Sequence, residues 1–252
     1  MKIIIHGGFF SESSTNIETK IAKQQALLRI VKDSYAYLQN HSALETVVYA
    51  VSQLEDDELF NAGIGSQIQS DGKIRMSASL MDGESQKMSG VINIEEVKNP
   101  IQVAQVLMQV DDRILGGSGA TNFARKHGFE SFSTEIPQRR AEYEAKLASL
   151  GTGTVGCVAL DKNGKIAVAT STGGKGFEIP GRISDSATVA GNYANEFCGV
   201  SLTGVGEDIV SNATAAKIVT RVTDGFSIEK AFVKTFAELK PYDGFAGAIG
   251  ID

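Results

Sequence analysis

One stretch restricts the fold of this chain more than any other: Thr154–Gly174, TVGCVALDKNGKIAVATSTGG. Its two apolar runs, Thr154 to Leu160 and Lys165 to Thr170, are joined by Asp161-Lys-Asn-Gly-Lys. Asn-Gly between two such runs is a strong hairpin signal, because both residues tolerate the positive φ of a tight two-residue turn. An antiparallel pair follows. It carries the hydroxyl cluster Thr170-Ser171-Thr172 back beside Thr154.

The surrounding pattern places this hairpin among further strands and paired helices. Met1 to His6 reads as a short buried strand ending at Gly7-Gly8. Ile17, Ile21, Leu28, Val31, Tyr35 and Leu38 recur at spacings of 3, 4 and 7, which predicts an amphipathic helix from about 16 to 39 with these residues on its core face. A second helix is expected near Ala43 to Leu54, then a loop through LEDDELFNAGIGS. Lys73 to Leu80 and Lys87 to Ile94 predict a second hairpin. A helix starts at Asn99-Pro100, since proline suits a first helical turn, and a short glycine-led helix follows over 116–128. The polar stretch 129–150 reads as an exposed connector or a solvated helix. Strands are expected near Thr188 to Asn192 and Cys198 to Thr203, helices over Glu207 to Thr223 and Ser227 to Leu239, and a last strand in GFAGAIGID. Helices in pairs, rather than one after each strand, argue for stacked layers and against a doubly wound parallel sheet.

Composition excludes several classes. At 252 residues the chain is long enough for one large domain, and it is read here as a single domain spanning 1–252. It has 24 Lys and Arg against 30 Asp and Glu, a net charge of −6, with no basic stripe interleaved with aromatics, so nucleic acid is not an expected partner. No apolar run approaches the roughly 18 residues of a spanning helix, and MKIIIHGG lacks the pattern of a secretory leader. A cytoplasmic protein is expected. Cys157 and Cys198 lie in apolar runs and read as buried thiols, and the three histidines are far apart in sequence, so no transition-metal site is expected.

The chemistry rests on hydroxyls. A threonine hydroxyl is a weak nucleophile unless a base adjoins it, and one solution is the threonine's own α-amine, whose pKa of about 7.7–8.0 suits proton transfer near neutrality. Thr154 acquires such an amine only if the Gly153–Thr154 bond is cut; Gly153, without Cβ, admits the backbone strain that cut requires. On local pattern alone Thr154 is a β-branched residue starting a strand. Arg182 and Asp185 in IPGRISDS could hold a free carboxylate and ammonium, or form a surface ion pair. Thr203, Gly204 and Gly206 in LTGVGED could expose backbone N–H groups to a developing oxyanion, or turn into a helix.

Taken in order, TVGCVALDKNGKIAVATSTGG, PGRISDS, YAN and TGVGE resemble the plant-type asparaginase/isoaspartyl peptidase family of N-terminal-nucleophile hydrolases. IIIHGG, LEDDELFNAGIGS, SASLMDG and GVINIEEVKNPIQVAQVLM are similar to that family's other landmarks, so the resemblance covers nearly the whole chain. It implies an α+β fold, a four-layer αββα sandwich of two mainly antiparallel sheets between helical layers. It implies autocleavage into 1–153, with 129–153 as linker, and 154–252. Thr154 would be the nucleophile and Thr172 its support. Arg182, Asp185 and Gly206 would bind substrate, Thr203 and Gly204 would form the oxyanion hole, and Asn61 would stand near the scissile carbonyl. Backbone carbonyls of Leu54, Glu55, Asp57, Phe60, Ala62 and Ile64 would face a structural sodium ion, with no cofactor for the chemistry. The implied substrates are L-asparagine and β-aspartyl dipeptides, and the implied assembly is a homodimer of cleaved pairs. Glycosylasparaginase-like or threonine-endopeptidase-like hydrolysis, and an uncleaved relative that only binds aspartate, are the alternatives. The segment KGFEIPGR stands where the family has a more polar one.

Overall fold

A computed structural model describes residues 1–8, 17–145, 153–242 and 245–252. The elements run β1 (Lys2–His6), α1 (Ile17–Leu38), α2 (Ala43–Glu55), β2 (Met76–Asp82), β3 (Lys87–Ile94), α3 (Pro100–Leu107), β4 (Ile114–Gly116), α4 (Gly117–Lys126) and α5 (Pro137–Glu144). The second part contains β5 (Val155–Leu160), β6 (Ile166–Thr172), a single 3-10 turn at Asp185–Ala187, β7 (Asn192–Ala194), β8 (Gly199–Gly204), α6 (Gly206–Asn212), α7 (Thr214–Thr223), α8 (Ile228–Ala237) and β9 (Ala246–Ile251).

Six strands form one sheet in the order β1-β5-β6-β2-β3-β4, and three form the other in the order β7-β8-β9. Every pairing is antiparallel except β3 with the short β4, which the sequence pattern did not reveal. The β5–β6 hairpin forms, from Val155 opposite Ser171 to Leu160 opposite Ile166, but its turn is one residue longer than a two-residue Asn-Gly turn, and of that pair only Gly164 takes a positive φ, +75°. Asp161 secures its turn: Oδ1 accepts the N–H groups of Asn163 at 2.8 Å and Lys165 at 3.0 Å. The pairing brings the ends of β5 and β6 together, and there the hydroxyls meet.

Three apolar cores hold the layers. One lies between the large sheet and helices α1–α4, built on Ile30, Val47, Leu54, Leu80, Val91 and Ile101. A second lies between the small sheet and α7 and α8, around Leu202, Ile218 and Val219. A third, with Met81, Val158, Val168 and Ala194, fills the space between the sheets. Helix, sheet, sheet and helix are therefore stacked as an α+β sandwich, in agreement with the expected layers.

Helix α1 corrects the sequence reading in detail. Its core face is Ala26, Ile30, Ser34 and Leu38, while Ile17, Ile21, Leu28 and Tyr35 point to solvent, at 74%, 48%, 58% and 44% exposure. The helix carries two apolar lines, and periodicity cannot tell which one meets a sheet. The expected helix over Glu207 to Thr223 is two helices, broken at Ala213, whose φ is +50°. The break lets Ala215 and Ala216 donate their N–H groups to the carbonyls of Ala190 and Val189. The strand expected at Thr188 to Asn192 begins only at Asn192 and runs to Ala194, because residues 188–191 form a turn in which the Thr188 carbonyl accepts the N–H groups of Gly191 and Asn192. Part of the expected connector is helical, as α5; residues 146–152 of it lie outside the described residues.

Candidate active site

Thr154 precedes β5 and is 5% exposed. Its Oγ1 donates to Thr172 Oγ1 at 3.3 Å, across the hairpin end. Thr172 Oγ1 also accepts the N–H of Gly174 at 3.1 Å, which fixes the supporting hydroxyl by its own loop. A second hydroxyl, Ser186 Oγ from the 3-10 turn, lies 3.4 Å from Thr154 Oγ1. Thr152 lies outside the described residues.

Gly153 is squeezed. A Cβ there would stand 2.6 Å from Asn61 Cβ, and one on Gly8 would stand 2.7 Å from Gly153 Cα. Gly8 has a φ of +106°, so glycine is needed on both sides of the junction. Asn61 is itself clamped: its Nδ2 donates to Gly174 O at 2.6 Å, its Oδ1 accepts Gln67 N–H at 3.0 Å, and its carbonyl accepts Gly173 N–H at 2.8 Å. The junction Gly153–Thr154 thus lies between a braced asparagine and a braced threonine.

A polar chain that no sequence pattern singled out runs between the sheets. His6 Nε2 and Ser201 Oγ are 2.9 Å apart, and Ser201 Oγ lies 2.8 Å from Thr170 Oγ1. Burial pushes the His6 imidazole down to about 4, so it is neutral near pH 7. Gly156 leaves room for both His6 and Ser201.

The other wall is charged. A Cβ on Gly206 would lie 2.8 Å from both Arg182 Nη2 and Asp185 Oδ1, so these two side chains converge on the first residue of α6. Asp185 is buried, and desolvation raises its carboxyl to about 7, with Arg182 opposing the rise. Among the described residues its Oδ2 has no hydrogen-bond partner. Arg182 forms a two-point pair with Glu207, from Nε at 2.9 Å and Nη2 at 3.0 Å. That pairing, with its hydrogen bonds first, holds Glu207 down at about 2. Glu207 was legible only as a helix-start acid; its bond to Arg182 spans 25 residues and has no local signature. Thr203 and Gly204 end β8, the middle strand of the small sheet, two residues before Gly206.

In the loop after α2, the carbonyls of Glu55 and Phe60 crowd against Gly63 and Gly65. The Glu55 carbonyl accepts Ile64 N–H at 2.7 Å and the Asp57 carbonyl accepts Phe60 N–H at 3.1 Å, leaving a second lone pair on each, while the Leu54 carbonyl takes the N–H groups of both Asp56 and Asp57. Backbone carbonyls are neutral oxygen donors, and such donors suit a hard cation better than a transition metal. No group of His, Cys, Asp and Glu side chains suited to a metal occurs among the described residues. The Glu55 side chain turns inward instead: Oε1 accepts Ser171 Oγ–H at 2.6 Å and Ile101 N–H at 3.1 Å. Burial raises this carboxyl to about 8.

A buried threonine with paired hydroxyls, on a sandwich of two sheets, defines a hydrolase of the N-terminal-nucleophile fold. The sequence matches the asparaginase family over residues 1–147 and 134–252. It is 45% identical to the isoaspartyl peptidase/L-asparaginase of Synechocystis sp., over all of this chain and 82% of that protein. It is 36% identical to the isoaspartyl peptidase of Escherichia coli K12, over 99% of this chain and 86% of that protein. It is also 34% identical to the plant-type L-asparaginase of Pyrobaculum calidifontis, over 99% and 90% of the two chains. The chain belongs to the asparaginase family. Among the described residues no helix is long and apolar enough to cross a membrane.

Proposed function

We propose that this protein is an autoprocessing threonine amidohydrolase that releases aspartate from L-asparagine and from β-aspartyl dipeptides. One observation carries the reading. The Thr154 hydroxyl is buried against Thr172, directly after a glycine too confined for any side chain. In processing, Thr154 Oγ attacks the Gly153 carbonyl and the C–N bond breaks. The hydroxyl proton ends on the Thr154 nitrogen, and water then hydrolyses the ester. The new α-amine serves as base in turnover. It takes the Thr154 proton as Oγ attacks the substrate's β-carbonyl and returns it to the departing ammonia or amine; water then hydrolyses the aspartyl ester, which frees aspartate and restores the Thr154 hydroxyl. Thr203 and Gly204 hold the developing oxyanion.

Arg182 takes the substrate α-carboxylate, with Glu207 orienting its guanidinium, and Asp185 takes the α-ammonium beside Gly206. The ammonium meets Asp185 Oδ1, the oxygen that faces Gly206. The loop from Leu54 to Ile64 holds a structural sodium ion. The cleaved pieces, 1–153 and 154–252, stay associated because β1 pairs with β5 and β2 with β6; the assembly is a dimer of such pairs in the cytoplasm. The test is denaturing mass spectrometry of purified protein over time, together with aspartate release. The expected result is two fragments that join at Gly153–Thr154, and turnover that appears with them. A chain that stays whole and releases no aspartate ends this reading.

A further inference from the structure

We propose that Ser186 is a third hydroxyl of the reacting centre, which holds Thr154 Oγ1 in the attacking rotamer during processing and turnover. The inference rests on the reading of Thr154 as nucleophile and adds a residue to it.

The argument begins with hydrogen counting. A hydroxyl has one proton and two lone pairs. Thr154 Oγ1 gives its proton to Thr172. Toward Ser186, at 3.4 Å, Thr154 can then only accept, so the Ser186 O–H is the donor. Among the described residues, Thr154 is the hydrogen-bond partner of that hydroxyl. Two contacts from different directions select one χ1 well for a side chain that otherwise divides between wells. Rotation to another well would swing Oγ1 away from both hydroxyls and from the carbonyl it must reach.

Ser186 is built for this placement. It is fully buried. Its carbonyl accepts Ser79 Oγ–H from β2 at 2.7 Å, and Ser79 Oγ in turn accepts Asn192 Nδ2–H at 2.9 Å. Thr188 closes the turn by donating both its N–H and its Oγ1–H to the Asp185 carbonyl, at 2.8 Å and 2.7 Å. One 3-10 turn therefore delivers two consecutive side chains to two tasks. Asp185 Oδ1 faces Gly206, and Ser186 faces the nucleophile. The substrate's ammonium and the attacking oxygen are thereby referenced to the same rigid turn.

The experiment compares wild type with Ser186→Ala, Ser186→Thr and Ser186→Cys. Fragment formation is followed by denaturing mass spectrometry, and kcat and KM for asparagine are measured on the processed forms. The expected result is processing slowed about tenfold in Ser186→Ala, from loss of one buried hydrogen bond. A similar fall in kcat with KM within twofold is expected, and Ser186→Thr should recover most of both. Ser186→Cys keeps the volume but donates weakly, so it should fold and remain slow; it decides the matter if the alanine variant does not fold. Alanine or cysteine variants that process and turn over within twofold of wild type overturn the proposal. So does a defect that appears in KM alone, or one that threonine does not relieve. Wild type that stays whole overturns the function proposed above, and is told apart by the wild-type lane itself.

Discussion

The two walls of the candidate site are built on opposite physical principles. The wall at the ends of β5 and β6 is neutral: Thr154, Thr172, Ser186, Asn61 and glycine backbone, joined by hydrogen bonds between uncharged groups. The wall at the 3-10 turn and the start of α6 is built on an ion pair: Arg182 and Glu207 are bound at two points beside the Asp185 carboxyl. Neutral contacts and steric confinement fix positions without altering the basicity of an amine that must work near pH 7. Ionic groups instead attract a zwitterion, and their pairing is exchangeable when one arrives. Even the buried acid behind the neutral wall follows the rule, since Glu55 is held protonated near neutrality.

Three measurements can break or sharpen this contrast. The largest effect is expected at the junction. Gly153→Ala must push its Cβ against Asn61, an overpacking that costs about 1–3 kcal/mol. Displacing a scissile carbonyl by even part of an ångström should slow fragment formation on the order of 100-fold. Rapid processing of Gly153→Ala would remove confinement from the account of the neutral wall.

Arg182→Ala comes next. Losing a charge-assisted, two-point contact should raise KM for asparagine roughly 10- to 100-fold. Processing should be nearly unchanged, because the precursor presents no free carboxylate. A variant that loses processing as severely as binding would show that the two walls are not separable.

The smallest effect is a pH slope in stability. Glu55 has a raised folded pKa, from 4.5 to about 8. Its contribution is complete below the unfolded value and is lost as pH climbs through the folded one. Glu55→Gln keeps a carbonyl oxygen for both donors that meet Oε1, Ser171 and Ile101. Between pH 5 and 8, wild-type Tm should therefore fall relative to the variant, by about 2–4 °C for each kcal/mol lost. Parallel melting curves across that range would place an ionised Glu55 in the core and contradict the neutrality of this wall.

Much of the architecture was legible in the order of residues, because its causes are local. Asn163-Gly164 specifies a turn whatever surrounds it, and that turn sets Thr154 beside Thr172. Pro100 starts α3 because its ring suits a first helical turn. The motif order from Thr154 to Gly206 pointed to the family to which the chain belongs. Other features have no local cause. Either apolar line of α1 could have met the sheet; packing buried Ala26, Ile30 and Leu38. Ala213 interrupts a helical pattern because Val189 and Ala190 offer carbonyls there.

The sequence by itself determined the hairpin, the layered class and the set of hydroxyl, glycine and charged residues from which a site could be made. Only the tertiary structure decided which of them touch. It added Ser186 to Thr154 across 32 residues and Glu207 to Arg182 across 25. It also buried His6 with Ser201 across 195. The physical reason is range: turn and capping preferences act over a few residues. Burial and hydrogen bonding between distant hydroxyls exist only once two sheets have closed on each other and excluded water.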